Sequence, residues 1–265
     1  MGSILFIGGG AMAEAIISGC LTKGVLKKEQ ILLKGHTAGR VQYMTDTYGI
    51  RALASLENIP EEVGTVVLAV KPAVIPSVLQ ELKGLRQDIL VISIAAGISL
   101  AAIEAVLADR SVIRVMPNTP VFVGEGMTAI APNRLAKDEQ IEYVRSLFDA
   151  IGKTLVGTEA MLDEMGALAG CGPAYAFVII DALSDAGVRI GLPRKAAIEA
   201  AAQTLFGAAK MVLETKQHPA VLRDQVTSPG GTTIAALHKM EQSGLRAALI
   251  DGVCAAMERT REMGK

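Results

Sequence analysis

Four apolar residues, Ile4-Leu-Phe-Ile7, run directly into Gly8-Gly-Gly10-Ala-Met-Ala13, and the next apolar positions, Ile16, Ile17 and Cys20, recur at helical spacing. A buried strand, a glycine turn and a helix in that order leave few architectures open. In this G-x-G-x-x-A pattern Gly8 closes the turn, Gly10 admits a phosphate to the backbone, and Ala13 keeps helix and strand close. Ile7, Gly8, Gly10, Ala11 and Met12 are therefore expected to hold the pyrophosphate of a dinucleotide.

The alternation continues to about Val156. Strands are predicted at 4–7, 31–34, 65–70, 89–94, 112–115, 127–131 and 153–156, with helices at 11–23, 38–48, 74–83, 99–108 and 137–150. Uninterrupted runs such as Val66-Val-Leu-Ala-Val70 and Ile89-Leu-Val-Ile-Ser-Ile94 suit strands covered on both faces. The fold class is α/β, a doubly wound, mostly parallel, Rossmann-like sheet. From Glu159 the strand signal stops, and helices are expected at 159–187, 193–215, 219–226, 232–242 and 244–261. Pro173 and Pro193 suit first-turn positions or a kink. The division expected is 1–157 for a dinucleotide-binding domain and 158–265 for an all-helical dimerisation and substrate domain.

Composition narrows the partners. At 265 residues the chain can bury about 70–75% of its unfolded surface. A net charge of −1, 20% charged residues and 3% aromatics argue against nucleic acid. The three cysteines, Cys20, Cys171 and Cys254, are far apart, form no metal pattern and fall in apolar helical stretches, so buried free thiols are expected. The N-terminus lacks a signal-peptide pattern and no 18-residue run is free of charge, which points to a cytoplasmic protein. Hydrophobic residues reach 51%, with the excess in the C-terminal helices, as expected where helices bury a second face against another subunit.

The end of the second strand bears on which dinucleotide. An NAD site usually places an acid there, whereas this chain reads Lys34-Gly-His36-Thr37-Ala-Gly-Arg40. Lys34, His36 and Arg40 attract a 2′-phosphate by charge and Thr37 adds a donor, favouring NADPH with NADH as the alternative. Three further strand ends carry unusual residues: Ala69-Val70-Lys71-Pro72, Ser93-Ile-Ala95-Ala96-Gly97 and Arg114-Val-Met-Pro-Asn118-Thr-Pro120. Together they read as a wall facing the nicotinamide, because ligands of parallel sheets bind beyond the carboxyl ends of the strands.

The stretch Leu222-Arg-Asp-Gln-Val-Thr-Ser-Pro-Gly-Gly-Thr-Thr-Ile-Ala-Ala-Leu237 adds a second anion site. Pro229 fixes its φ, Gly230 and Gly231 allow positive φ, and a helix opens just beyond. The amides of Gly231, Thr232 and Thr233 are expected to stand unpaired beside Ser228 and two threonine hydroxyls, ready for a carboxylate.

These blocks resemble the pyrroline-5-carboxylate reductase family: Gly8-x-Gly10-x-Met12, Ala69-Val-Lys-Pro72, Ser93-Ile-Ala-Ala-Gly97, Arg114-Val-Met-Pro-Asn-Thr-Pro120, Gly172-Pro-Ala-Tyr175 and Val226-Thr-Ser-Pro-Gly-Gly-Thr-Thr233 follow the family's order along nearly the whole chain. The resemblance implies NAD(P)H-dependent reduction of 1-pyrroline-5-carboxylate to L-proline by an interlocked homodimer, often part of a larger ring. It further implies a substrate pocket at the dimer interface, with Ser228, Gly230, Gly231, Thr232 and Thr233 on the substrate carboxylate. Two departures stand out: Ala169 and Cys171 occupy positions where the family commonly has hydroxyls, and Lys34-Gly-His36 replaces its usual polar turn. Such a reaction needs no metal, because a protonated cyclic imine accepts hydride at its own carbon. Thr233, as a hydrogen-bond partner for the ring nitrogen, and Lys71, the strand-end cation, are the catalytic candidates. The rival readings are a β-hydroxyacid dehydrogenase using Lys195 or Lys210 as base, and a non-catalytic NADP-binding paralogue.

Overall fold

The computed structural model describes residues 2–263. Eight strands, β1 (Ser3–Ile7), β2 (Ile31–Lys34), β3 (Arg51–Ala52), β4 (Val63–Leu68), β5 (Leu90–Ser93), β6 (Val112–Met116), β7 (Gly126–Pro132) and β8 (Gly152–Val156), form one sheet in the order β3-β2-β1-β4-β5-β6-β7-β8. The β6–β7 pair is antiparallel and all others are parallel. The direction of winding reverses between β1 and β4, so a crevice opens beyond the paired ends Ile7 and Leu68.

The apolar strands are explained by what covers them. In β1, Ile4 and Phe6 join one core with Ile16 and Ile17 of α1 (Ala11–Thr22), Met44 of α2 (Ala38–Tyr48), and Val144, Leu147 and Phe148 of α5 (Asp138–Asp149). Leu5 and Ile7 face the other way, into a core with Ile75, Val78 and Leu79 of α3 (Ile75–Glu81) and Ile103 of α4 (Leu100–Glu104). Every one of these four β1 side chains is buried, which is why no polar residue interrupts the run. The expected strands and helices lie within a few residues of those observed. The strand with no expectation, β3, has two exposed residues and pairs only at the sheet edge, so it carries no apolar signal.

The long helix expected at 159–187 is broken. It comprises α6 (Glu159–Met165), one π turn (Gly166–Gly170) and α7 (Gly172–Arg189). The π turn is closed by Cys171 N–H donating to Gly166 O at 3.0 Å, and Asn118 Nδ2 donates to Ala169 O at 2.9 Å from the loop after β6. Arg114 of β6 and Glu159 at the start of α6 form an ion pair of 2.5 Å, and the same carboxylate accepts the Leu100 N–H at 2.6 Å. Thus α6 is fastened to the sheet.

The chain forms two compact units, one running to Cys171 and including the last turns from Met257, the other Gly172–Ala256. In the second unit α7 pairs with α8 (Arg194–Thr215). Gly187 allows the close approach, since a Cβ there would lie 2.8 Å from that of Ala197. Arg194 donates to Ser184 Oγ at 2.8 Å and pairs with Asp185 at 2.6 Å. Then follow α9 (Pro219–Gln225), α10 (Thr232–Gln242) and α11 (Leu245–Met263). Phe177, Val178, Ile190, Ile198, Phe206 and Leu213 are exposed on the protomer. Two helical stretches, Glu159–Arg189 and Arg194–Thr215, are long and apolar enough to cross a membrane, although no run in them reaches 18 residues without a charge. The cysteine expectation needs correction: Cys20 is buried, whereas Cys171 and Cys254 are exposed on the protomer. Cys254 lies on a face of α11 that a single chain leaves open, and Cys171 sits at the junction of the π turn and α7.

Candidate active site

At the crevice the backbone itself presents the polar groups. Gly8 has φ +107°, its N–H donates to Lys34 O at 2.8 Å, and Ile7 O accepts the Ala69 N–H at 2.8 Å. A Cβ on Gly8 would lie 2.4 Å from Ala69 O, so the ends of β1 and β4 approach this closely only through glycine. Gly10 caps α1 with extended backbone and no side-chain cap, and nothing lies within 4 Å of where its Cβ would be. The first intrahelical donor is Glu14, whose N–H reaches Gly10 O at 3.0 Å. The amides of Ala11, Met12 and Ala13 thus precede the helical ladder at the positive end of the dipole, beside open space. This is an arrangement that a pyrophosphate fits.

The basic residues after β2 are less free than their formal charge suggests. Lys34 Nζ donates to Ala54 O at 2.6 Å, while His36 and Thr37 are exposed, Thr37 capping α2 with no side-chain hydrogen bond. Arg40 Nε donates to Gly9 O at 2.5 Å, its Nη2 pairs with Glu14, and its guanidinium lies 5.0 Å from the centre of the Tyr43 ring. Glu14 also accepts from Tyr43 at 3.0 Å and Tyr48 at 2.8 Å. Burial pushes this carboxyl up, but the hydrogen bonds from Arg40, Tyr48 and Tyr43 outweigh it and hold the group below its ordinary value. Burial, and then the bond to Glu14, push the Tyr48 phenol up. Glu14, Tyr43 and Tyr48 are not among the site residues expected from the sequence. The signal that marks them is an acid, Glu14, in the first turn of the helix that follows the glycine loop.

The strand-end residues line up along the crevice as the sheet order dictates. Ala69 and Val70 are half-buried beyond β4, and exposed Lys71 caps a short 3-10 turn opened by Pro72. Beyond β5, Ala95 is buried, Ala96 and Gly97 are exposed, and Gly97 takes φ +74°. Asn118, expected at the cofactor, has both side-chain polar atoms engaged within the protein. Its side chain is buried, with Oδ1 accepting the Met127 N–H at 2.8 Å and Nδ2 bonded to Ala169 O, so its polar atoms tie β7 and the π turn to this loop. Among the described residues no group of His, Cys, Asp or Glu could hold a metal ion.

In the second unit the glycine elbow forms, with one correction. Gly230 has φ +70°, as a Pro-Gly turn requires, and this turn is closed by Gly231 N–H donating to Ser228 O at 3.1 Å. The Gly231 amide is therefore paired, not free. Because Gly231 caps α10, the amides ahead of the helical ladder belong to Thr232, Thr233 and Ile234, one residue further on than expected. A Cβ on Gly231 would lie 2.3 Å from Ser228 Oγ, so the Ser228 hydroxyl folds back over the elbow. Thr233 is half-buried in the first turn of α10. Of the alternative bases, Lys210 pairs with Glu214 at 3.6 Å and Lys195 is exposed on the same helix, α8.

Residues 159–263 match the family described as pyrroline-5-carboxylate reductase dimerisation, and residues 3–97 match that of NADP oxidoreductase coenzyme F420-dependent. The pyrroline-5-carboxylate reductase of Synechocystis sp. is 42% identical over 98% of this chain and 97% of its own. The solved pyrroline-5-carboxylate reductase of Coxiella burnetii is 35% identical with a TM-score of 0.92, covering 100% of this chain and 99% of that one. The pyrroline carboxylate reductase of Plasmodium falciparum, solved with NADP bound, is 30% identical with a TM-score of 0.86 over 100% of this chain and 98% of its own.

Proposed function

Since the chain belongs to the pyrroline-5-carboxylate reductase family, we propose the following roles for its residues in that reaction. The enzyme reduces 1-pyrroline-5-carboxylate to L-proline with NAD(P)H, the last step of proline synthesis, and it is a homodimer through its helical domain. We take residues 1–157 as the cofactor domain and 158–265 as the dimerisation and substrate domain, a division supported by the 159–263 family match. Dimerisation accounts for the apolar residues exposed on α7 and α8. The cytoplasm is the compartment we assign.

The chemistry is small. The nicotinamide, when bound, supplies hydride to the imine carbon, and one proton ends on the ring nitrogen. What this chain must do is hold, orient and protonate. Ile7, Gly8, Gly10, Ala11 and Met12 hold the pyrophosphate, and Lys34, His36, Thr37 and Arg40 the adenosine 2′-phosphate. Ala69, Val70, Lys71, Pro72, Ala95, Ala96 and Gly97 form the wall behind the nicotinamide. Asn118 belongs to this wall by stiffening its loop. The amides of Thr232, Thr233 and Ile234, shaped by Ser228, Gly230 and Gly231, bind the substrate carboxylate at the positive end of α10. Thr233 Oγ1 hydrogen-bonds the ring nitrogen, and Lys71, the cation beyond β4, is the second catalytic candidate. Positioning of this kind contributes about 7–11 kcal/mol to lowering a bimolecular barrier, so no metal or paired carboxylate is needed.

The observation that carries this reading is the glycine-capped start of α10, which offers unpaired amides with no side-chain cap of its own. The test is NADPH oxidation with 1-pyrroline-5-carboxylate, run beside NADH and beside 3-hydroxyacids with NADP+. Turnover of the imine with a preference for NADPH is expected. Turnover of hydroxyacids alone, or cofactor binding without turnover, would defeat it.

A further inference from the structure

The basic residues near the end of β2 are not equally available, and the difference lies in a residue of the neighbouring helix. Lys34 is drawn to Ala54 O, and His36 is exposed. Arg40 alone reaches the glycine loop, with Nε on Gly9 O at 2.5 Å, and there its Nη2 meets the Glu14 carboxylate. Glu14 is itself held by two phenols, those of Tyr43 and Tyr48, and its side chain is only 19% exposed. Moving this carboxylate away would give up three hydrogen bonds at once, including the one from the half-buried Tyr48. The ring of Tyr43 lies 5.0 Å from the guanidinium carbon, fixing Arg40 from another side. What remains for a ligand is the Nη1 edge, which has no hydrogen bond to any described residue.

We propose that Glu14 sets cofactor selectivity by positioning Arg40 over the glycine loop while cancelling most of its charge, so that the 2′-phosphate of NADPH gains less over the 2′-hydroxyl of NADH than the local cations would otherwise provide. This rests on the assignment of Arg40 to the 2′-phosphate made above. The physical logic is that two requirements conflict. A fixed guanidinium presents its edge without losing side-chain freedom on binding, but the acid that fixes it also repels a dianion within one Debye length. Glu14 is anionic at neutral pH, because its hydrogen bonds from Arg40, Tyr48 and Tyr43 prevail over burial. The geometry favours selectivity that is moderate, with NADH still accepted.

The test reads binding as well as turnover. Dissociation constants of NADP+ and NAD+ are measured by calorimetry on wild type, Glu14→Gln, Glu14→Met, Arg40→Ala and the Glu14→Gln/Arg40→Ala double variant, together with KM for NADPH and NADH. Glu14→Gln keeps the shape and removes the charge. It should raise the NAD+/NADP+ ratio of dissociation constants by roughly 3- to 10-fold, the size expected for removing one charge near a dianion in partly screened solvent. NAD+ affinity should stay within about 2-fold, and Glu14→Met should move the ratio the same way should the amide variant fold poorly. The gain should vanish in the Arg40→Ala background, the signature of an effect exerted through the guanidinium. An unchanged or lowered ratio in both Glu14 variants overturns the proposal, as does a gain that persists without Arg40. If Arg40→Ala alone leaves NADP+ affinity unchanged, it is the underlying assignment of the 2′-phosphate that falls.

Discussion

Replacing Gly8 and Gly10 separately by alanine should damage two different properties, although the residues are two positions apart. At Gly8 the added methyl would lie 2.4 Å from Ala69 O and 2.6 Å from Ala69 C, both backbone atoms, on a residue with φ +107°. The ends of β1 and β4 would have to part by about 1 Å to restore ordinary contact. Positive φ costs an alanine about 1–2 kcal/mol and overpacking about 1–3 kcal/mol more. A total of about 2–5 kcal/mol lowers Tm by roughly 5–15 °C for a chain of this size. At Gly10, by contrast, φ is −68° and nothing lies within 4 Å of the new methyl, so stability should move by less than about 1 kcal/mol. Here the methyl occupies the open space proposed above for the pyrophosphate. Overpacking of about 1–3 kcal/mol against the bound phosphate would weaken NADPH binding by roughly 5- to 150-fold. Scanning calorimetry reads the first quantity and quenching of protein-bound NADPH fluorescence the second. If Gly10→Ala binds NADPH as tightly as wild type, the phosphates do not rest on this loop. If Gly8→Ala melts like wild type, the close approach of β1 and β4 is not rigid.

Three further outcomes follow from particular contacts. Thr233→Ala should raise KM for the imine or lower kcat by about 10-fold or more while leaving NADPH affinity within about 2-fold, as one lost hydrogen bond predicts; parallel loss of cofactor binding would refute the assignment. Glu159→Ala removes the partner of Arg114, whose side chain is 6% exposed, and the acceptor of the Leu100 N–H; a loss of about 2–4 kcal/mol in urea unfolding is expected, and a change under 1 kcal/mol would show the pair to be dispensable. Burial pushes the Cys20 thiol and the Tyr143 phenol each up to about 12 in the folded protein. Well below the unfolded thiol's value of about 8.5–9 both stay protonated in either state, so neither contributes there. Between pH 9 and 12 the unfolded chain releases first the thiol proton and then the phenolic one, and stability falls by about 1.4 kcal/mol per pH unit for each group. Tm measured across this range should drop, and Cys20→Val should flatten the first part of the decline.

The sequence alone determined the alternation of covered strands and helices, because a strand buried on both faces must be apolar at every position, as Ile4 to Ile7 are. It also determined the two glycine turns, since Gly8 and Gly230 take φ values that other residues rarely adopt. Tertiary structure decided what depends on neighbours distant in the chain. The break at Gly166–Gly170 accompanies a bond from Asn118 to Ala169, and the short edge strand Arg51–Ala52 exists only as a pairing with β2. The free amides at the elbow moved to Thr232, Thr233 and Ile234 because the Pro-Gly turn consumed that of Gly231. Residue type states that Arg40 is a cation. Only the fold, by bringing Glu14, Tyr43 and Tyr48 around it, states how much of that charge a ligand can feel, since electrostatic energy depends on separations that the order of residues does not contain.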